Sequence, residues 1–179
     1  MRELPRLKNT VFITTTISTT KSVDDCFLFI IESLPEYYKE LSSGHDYFRT
    51  VSGNSLSPGE KIECSEKAGN QSIVHNYIVD EVIPNIRVHY SSRPSFVKIK
   101  LPWTTIHSKS NTYVWYDFDT DNQGKSFVRL TIGIQFHSWF KKLNAQIFMG
   151  IVPWEKHCLE EMKGLKQILE STNSKKLKP

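Results

Sequence analysis

From Asp46 to Phe136 the chain shows no helical period. It is a series of short runs rich in β-branched and aromatic residues, cut by turn signals at Ser57-Pro58-Gly59, Gly69-Asn70, Pro84-Asn85, Arg93-Pro94, Pro102 and Asp121-Asn122-Gln123-Gly124. Each break supplies a turn dihedral or removes a ladder donor. The runs between them predict strands near 46–52, 60–67, 71–82, 85–92, 95–101, 111–120 and 125–137, and connections this short require an antiparallel meander. A meander of that length has one face to bury, so the rest of the chain must supply its cover.

The cover is expected at both ends. After His137 the period returns to 3.6, with Phe140, Leu143, Ile147, Ile151, Trp154, Cys158, Leu165 and Leu169 on one face. This predicts one helix over 139–170, about 48 Å long at 1.5 Å per residue and kinked at Pro153. Ahead of the meander, Val11 to Thr20 carries Val11, Ile13 and Ile17 on one face of a strand. Ser22 with Asp25 then forms a capping-box pattern. Behind it Val23, Phe27, Ile30, Ile31 and Leu34 recur at helical spacing, Pro35 stops that helix and opens a second to about Leu41, and Gly44 follows as a C-terminal stop. The chain therefore predicts a single α+β domain over 10–171, with an N-terminal extension at 1–9 and a disordered Lys-rich tail at 172–179.

Composition narrows the function classes. Of the formal charge of +4, three positive charges sit in the tail at Lys175, Lys176 and Lys178, so the remainder is nearly neutral and no nucleic-acid face emerges. Cys26, Cys64 and Cys158 lie in apolar patterns without CxxC spacing, which fits reduced thiols. The longest apolar run, Cys26 to Ile31, is too short to span a bilayer, and Met1 to Asn9 has no apolar signal region. A soluble, cytoplasmic protein is expected, its oligomeric state left open. Gly-rich phosphate loops and GxSxG elbows are lacking.

One position breaks the pattern. On the last helix Glu161 falls inside the apolar arc, between Leu165 and Ile168, and His157 sits at its rim one turn earlier. A buried carboxylate requires a partner. On the strand from Glu60 to Glu66, the apolar Ile62 and Cys64 share a face with Glu66, while Lys61, Glu63 and Ser65 share the other. If Ile62 and Cys64 point inward, Glu66 does too, with Glu60, Glu63 and Glu81 as alternative strand glutamates.

The order of elements (strand, two short helices, antiparallel strands, long C-terminal helix) resembles the helix-grip fold of the START-like, or Bet v 1-like, superfamily, which includes polyketide cyclases and lipid carriers. That resemblance implies an internal cavity for a hydrophobic or aromatic small molecule, for which Tyr77, Tyr90, Trp103, Trp115, Phe136 and Trp154 are candidate lining residues. The stretch His157-Cys-Leu-Glu-Glu161-Met162, continuing to Leu165, Ile168 and Leu169, is similar to the C-terminal helix of the diacetylphloroglucinol hydrolases, START-like enzymes that use zinc to cleave a carbon-carbon bond beside an aryl ketone. By position, that family's four metal ligands fall on His45, Glu66, His157 and Glu161. Phe48 replaces an amide that the hydrolases carry near their substrate, so substrate identity does not carry over. His107 and His137 are candidates for a general acid or base; His75 and His89 read as ordinary polar positions. The expected function is a metal-assisted hydrolase of ketone-type substrates. The alternatives are a metal-free carrier and a cyclase or dehydratase working with cavity acids and bases.

Overall fold

Except for Arg93-Pro94, the turn signals in the middle of the chain become the connections between strands of one seven-stranded sheet. The computed structural model describes residues 3–53, 55–147 and 151–171; the lysine-rich tail lies outside them. The strands are β1 (Thr10–Thr19), β2 (His45–Thr50), β3 (Lys61–Ala68), β4 (Gln71–Ile83), β5 (Arg87–Lys100), β6 (Thr105–Thr120) and β7 (Ser126–Gln135). They are ordered β1-β7-β6-β5-β4-β3-β2 and every neighbouring pair is antiparallel. β1 and β2 form the two edges, so the helical segment between them must cross the sheet.

That segment runs without the expected stop at Pro35. It consists of α1 (Val23–Leu28), a π-helical turn (Phe29–Ser33) and α2 (Leu34–Leu41). Ser22 caps α1 as the capping-box pattern predicts, its Oγ accepting from the Asp25 amide at 3.0 Å while the Ser22 amide donates back to Asp25 at 3.4 Å. Pro35 sits in the first turn of α2 and has no N–H to give the Ile31 carbonyl four residues back, which accepts from the Leu56 amide at 2.9 Å instead.

Three other expectations change. The two runs at 85–92 and 95–101 are one strand: β5 continues through Pro94 because its pairing with β6 shifts register between Ser92 and Ser95, and a proline is tolerated in such an irregularity. β6 starts at Thr105 rather than 111. The single long helix is two, α3 (Trp139–Ile147) and α4 (Val152–Ser171), with Pro153 in the first turn of α4 instead of kinking a continuous helix.

α4 packs on β1, α2 and β3 inside the curve of the sheet. Its apolar stripe, Trp154, Cys158, Met162, Leu165 and Leu169, is buried, and fully burying side chains such as Met162 and Leu165 stabilises by about 1.5–3 kcal/mol each. Gly164 lets α2 come close: a Cβ there would lie 2.2 Å from the Leu41 carbonyl oxygen. The three cysteines are buried and free of disulfides. No helix among the described residues is long and apolar enough to cross a membrane.

Candidate metal centre

The anomaly on α4 meets its partners where α2, β2, β3 and β6 converge on that helix. His157 and Glu161, one turn apart, both point inward and are buried. Glu66 reaches them from β3, on the inward face it shares with Ile62 and Cys64. His45 opens β2 directly opposite Glu66 in the strand register. A bulge between His45 and Tyr47 allows His45 and Phe48, three residues apart, both to be buried while Tyr47 stays 37% exposed. Gly44 is required for this approach, since a Cβ there would lie 2.2 Å from the Lys67 carbonyl oxygen and 2.8 Å from His157 Nδ1.

The donor atoms are close. His45 Nε2 lies 3.1 Å from His157 Nε2, His157 Nε2 lies 3.3 Å from Glu66 Oε2, and His45 Nε2 lies 3.8 Å from Glu161 Oε2. One donor each from His45, Glu66 and His157 fall within 4.8 Å of one another. Donors held about 2.0–2.1 Å from a single tetrahedral ion are ~3.3–3.4 Å apart, so the spacing and the borderline nitrogen and oxygen donor set both fit a divalent ion such as zinc.

A second ring of side chains orients the first. The Tyr38 ring stacks on His45 at 3.7 Å, and His45 Nδ1 donates to the Tyr38 carbonyl at 2.7 Å, which leaves Nε2 with its lone pair facing inward. Tyr38 donates its hydroxyl to Glu66 Oε1 at 2.7 Å, Cys64 Sγ lies 3.1 Å from the same oxygen, and Tyr116 donates to Glu161 Oε1 at 2.6 Å. His157 Nδ1 meets Ser42 Oγ at 3.3 Å. That hydroxyl can donate or accept, so the tautomer of His157 is open in a way that of His45 is not.

Burial and charge divide the two carboxyls. Burial raises Glu66, but the hydrogen bond to His157 and the neighbouring His75, His157 and His45 outweigh it and hold the group well below the usual carboxylate range. Glu161 goes the other way: burial and the nearby Glu66 charge raise it despite His45 and His157. Two acids sharing one buried site separate in this manner. Burial lowers His157, yet the hydrogen bond and charge of Glu66 bring it above its ordinary value. Burial raises Tyr38 and Tyr116, keeping both as hydroxyl donors.

Beside the cluster lies a cavity of about 340 Å³ whose wall includes Glu66, His75, Tyr77, Ser110, Phe136 and Trp154. Tyr77, Phe136 and Trp154 are thus part of a cavity wall. Tyr90 is on the same inner face but packs against Phe48, Tyr77 and Tyr116 in the core. Trp103 and Trp115 need correction. Trp103 is 95% exposed in the β5–β6 turn. Trp115 is buried on the outer face, against Phe12 and His89, because the inward positions of β6 are the even ones, Val114, Tyr116 and Phe118. His107 is exposed at the cavity rim, and His137, exposed beyond β7, lines an outer groove instead. Neither belongs to the buried cluster. Of the alternative glutamates, Glu63 pairs with Arg49 on the other face and Glu60 accepts from the amides of Val51 and Ser52.

Sequence reasoning missed His75, Tyr38 and Tyr116. The signal was available in alternation: His75 lies between the inward Ile73 and Tyr77, Tyr116 between Val114 and Phe118, and Tyr38 four residues after Leu34 on the buried face of α2.

No protein-family model and no curated protein sequence matches this chain. Solved structures do. A major latex-like protein from Panax ginseng superposes with a TM-score of 0.64 at 8% identity, over 89% of this chain and 97% of that one. The KanY protein gives 0.63 at 13% identity, over 90% and 99% of the two chains. DynU16, from the dynemicin biosynthetic locus, gives 0.53 at 11% identity, with 89% of this chain covering 47% of that chain. At such identities the likeness establishes the fold: this is a Bet v 1-like helix-grip domain, with a curved antiparallel sheet around its C-terminal helix.

Proposed function

We propose that the domain holds a divalent cation, zinc by donor type, between His45, Glu66, His157 and Glu161, and binds an aromatic or otherwise apolar small molecule in the adjoining cavity for hydrolytic cleavage beside a ketone. The observation that carries this reading is the spacing of the His45, His157 and Glu66 donors, 3.1 and 3.3 Å, close to the edge of a tetrahedral coordination shell, with Glu161 next to them at 3.8 Å from His45. The resemblance of the His157–Leu169 stretch to the diacetylphloroglucinol hydrolases supports the reaction class. A bound divalent cation supplies Lewis acidity toward a ketone oxygen. The protein's own groups do the rest: Tyr38 and Tyr116 fix the two carboxylates, the Tyr38 carbonyl fixes the His45 lone pair, and the apolar wall keeps water away from the ligand. His107 and His137 receive no step, since both are exposed.

A second reading has its own observation. At 3.1 Å the two imidazoles can be hydrogen-bonded directly, His157 donating to His45, and Glu161 can keep a proton. The same cavity would then belong to a metal-free carrier.

Elemental analysis of protein purified without an affinity tag separates the two. Stoichiometric metal that disappears in His157→Ala and in Glu161→Ala supports the first reading, and its absence from the wild type rejects it. Chelator-sensitive turnover of acylated phenols is the corresponding test of catalysis.

A further inference from the structure

The cavity wall carries one buried side-chain hydroxyl that no described residue satisfies. Ser110 is 1% exposed, and its Oγ is the buried side-chain polar atom without a hydrogen-bond partner among the described residues. It lines the cavity on the inward face of β6, directly opposite Ser95 of β5.

Its neighbours are all engaged. His75 Nδ1 lies 2.8 Å from Ser95 Oγ, and Ser95 donates to Thr112 Oγ1 at 2.9 Å. A serine hydroxyl has one proton, so Ser95 accepts from His75. The chain runs from His75 through Ser95 to Thr112 and does not include Ser110. Leaving a buried hydroxyl unpaired costs stability that an alanine would avoid. Apolar side chains such as Ile73, Ile99, Ile132 and Phe136 share the wall with polar ones, but the buried polar neighbours His75, Thr112 and Gln71 have protein partners, so Ser110 is the buried group left to anchor a polar group of a ligand.

We infer that Ser110 is a recognition point for a hydroxyl or carbonyl group on an otherwise apolar aromatic ligand, and that it sets the ligand's orientation relative to Glu66, which lines the same cavity. This rests on the reading of the cavity as a small-molecule site and is independent of the metal. A hydroxyl side chain can donate or accept, so both groups qualify, whereas a purely hydrocarbon ligand leaves Ser110 unpaired.

The test uses two probes that share a ring system, 2-naphthol and 2-methylnaphthalene, with dissociation constants from equilibrium dialysis. Wild type is expected to bind 2-naphthol about tenfold more tightly, the effect of one neutral hydrogen bond in a dry site. Ser110→Ala should abolish that ratio by weakening 2-naphthol alone, and Ser110→Thr, which keeps the hydroxyl, should retain part of it. A ratio near one in wild type, or a ratio that survives in Ser110→Ala, overturns the assignment of Ser110 while leaving the cavity reading in place. Failure of both probes to bind overturns the cavity reading and the assignment with it.

Discussion

Asp117 and Glu161 are both buried carboxylates, one on the outer face of the sheet and one inside its curve, and their surroundings differ in kind. Asp117 accepts from Arg87 Nε at 2.6 Å through one oxygen and from Arg129 Nη2 at 2.6 Å through the other. The three residues form a single row of register across β5, β6 and β7. Glu161 shares its space with a second carboxylate, Glu66, and the groups that act on the pair are histidines and tyrosines. The outer cluster neutralises its acid with permanently charged partners. The inner one collects two acids around the His45 lone pair and a His157 that is hydrogen-bonded to Glu66, an arrangement without a permanently charged partner that could hold a cation. Buried charge clusters can thus be sorted into complete and incomplete by counting what each member offers.

The largest effect should come from breaking the complete cluster. Asp117→Ala leaves two arginines facing each other in a buried row, and the loss of one partner from such a network costs about 3–5 kcal/mol. Chemical denaturation should report that loss with or without a chelator. A loss below about 1 kcal/mol would mean that the row behaves like a surface pair and that the contrast is overstated.

The incomplete cluster should respond to its cation instead. With free metal at about a hundred times its dissociation constant, binding stabilises the fold by ~2.7 kcal/mol, and a strong chelator should remove that amount from wild type. Asp117→Ala should keep the chelator shift and His157→Ala should lose it. A shift present in all three chains would place the metal elsewhere. Gly44→Ala is the next step down: its Cβ would press on the Lys67 carbonyl and on His157 Nδ1, so about 1–3 kcal/mol of overpacking strain should accompany a reduced metal content.

The two faces also differ in how far the sequence discloses them. The alternation of Ile62, Cys64 and Glu66 and the helical spacing of His157 and Glu161 are local periodicities, legible from the chain alone, and the same periods expose the order of elements. What joins the halves is not local. The opposition of His45 and Glu66 depends on a strand register and a bulge, and the row of Asp117 with its arginines depends on two registers at once; no spacing within one segment encodes either. Trp115 shows the limit most clearly. β6 is apolar on both faces, so its parity is invisible until Val114 and Tyr116 are seen in the core. Pro94 misled for a related reason, because a proline marks a strand end only where the ladder is regular.

The smallest expected effect separates the clusters by pH. Burial lowers His75 to about 4 despite the nearby Glu66, whereas an unfolded histidine titrates near 6.5. Between those values the unfolded chain takes up a proton that the folded chain refuses, so this histidine subtracts stability as pH falls from 6.5 toward 4. One unit below the unfolded value, at pH 5.5, the subtraction is about 1.4 kcal/mol. His157 works in the opposite sense: its value is raised in the fold, so its contribution is present below 6.5 and lost as pH rises through the folded value. Wild type alone therefore shows the difference of two slopes. Subtracting the denaturation profile of His75→Gln from that of wild type between pH 7 and 5.5 cancels His157 and should leave a decline of about 1.2 kcal/mol. Because the row of Arg87, Asp117 and Arg129 contains no histidine, Asp117→Ala should lower the whole profile without changing its slope in the same window. If the His75→Gln difference is flat, His75 is already charged in the fold, and the inner cluster then carries a positive partner of its own and has less need of a metal.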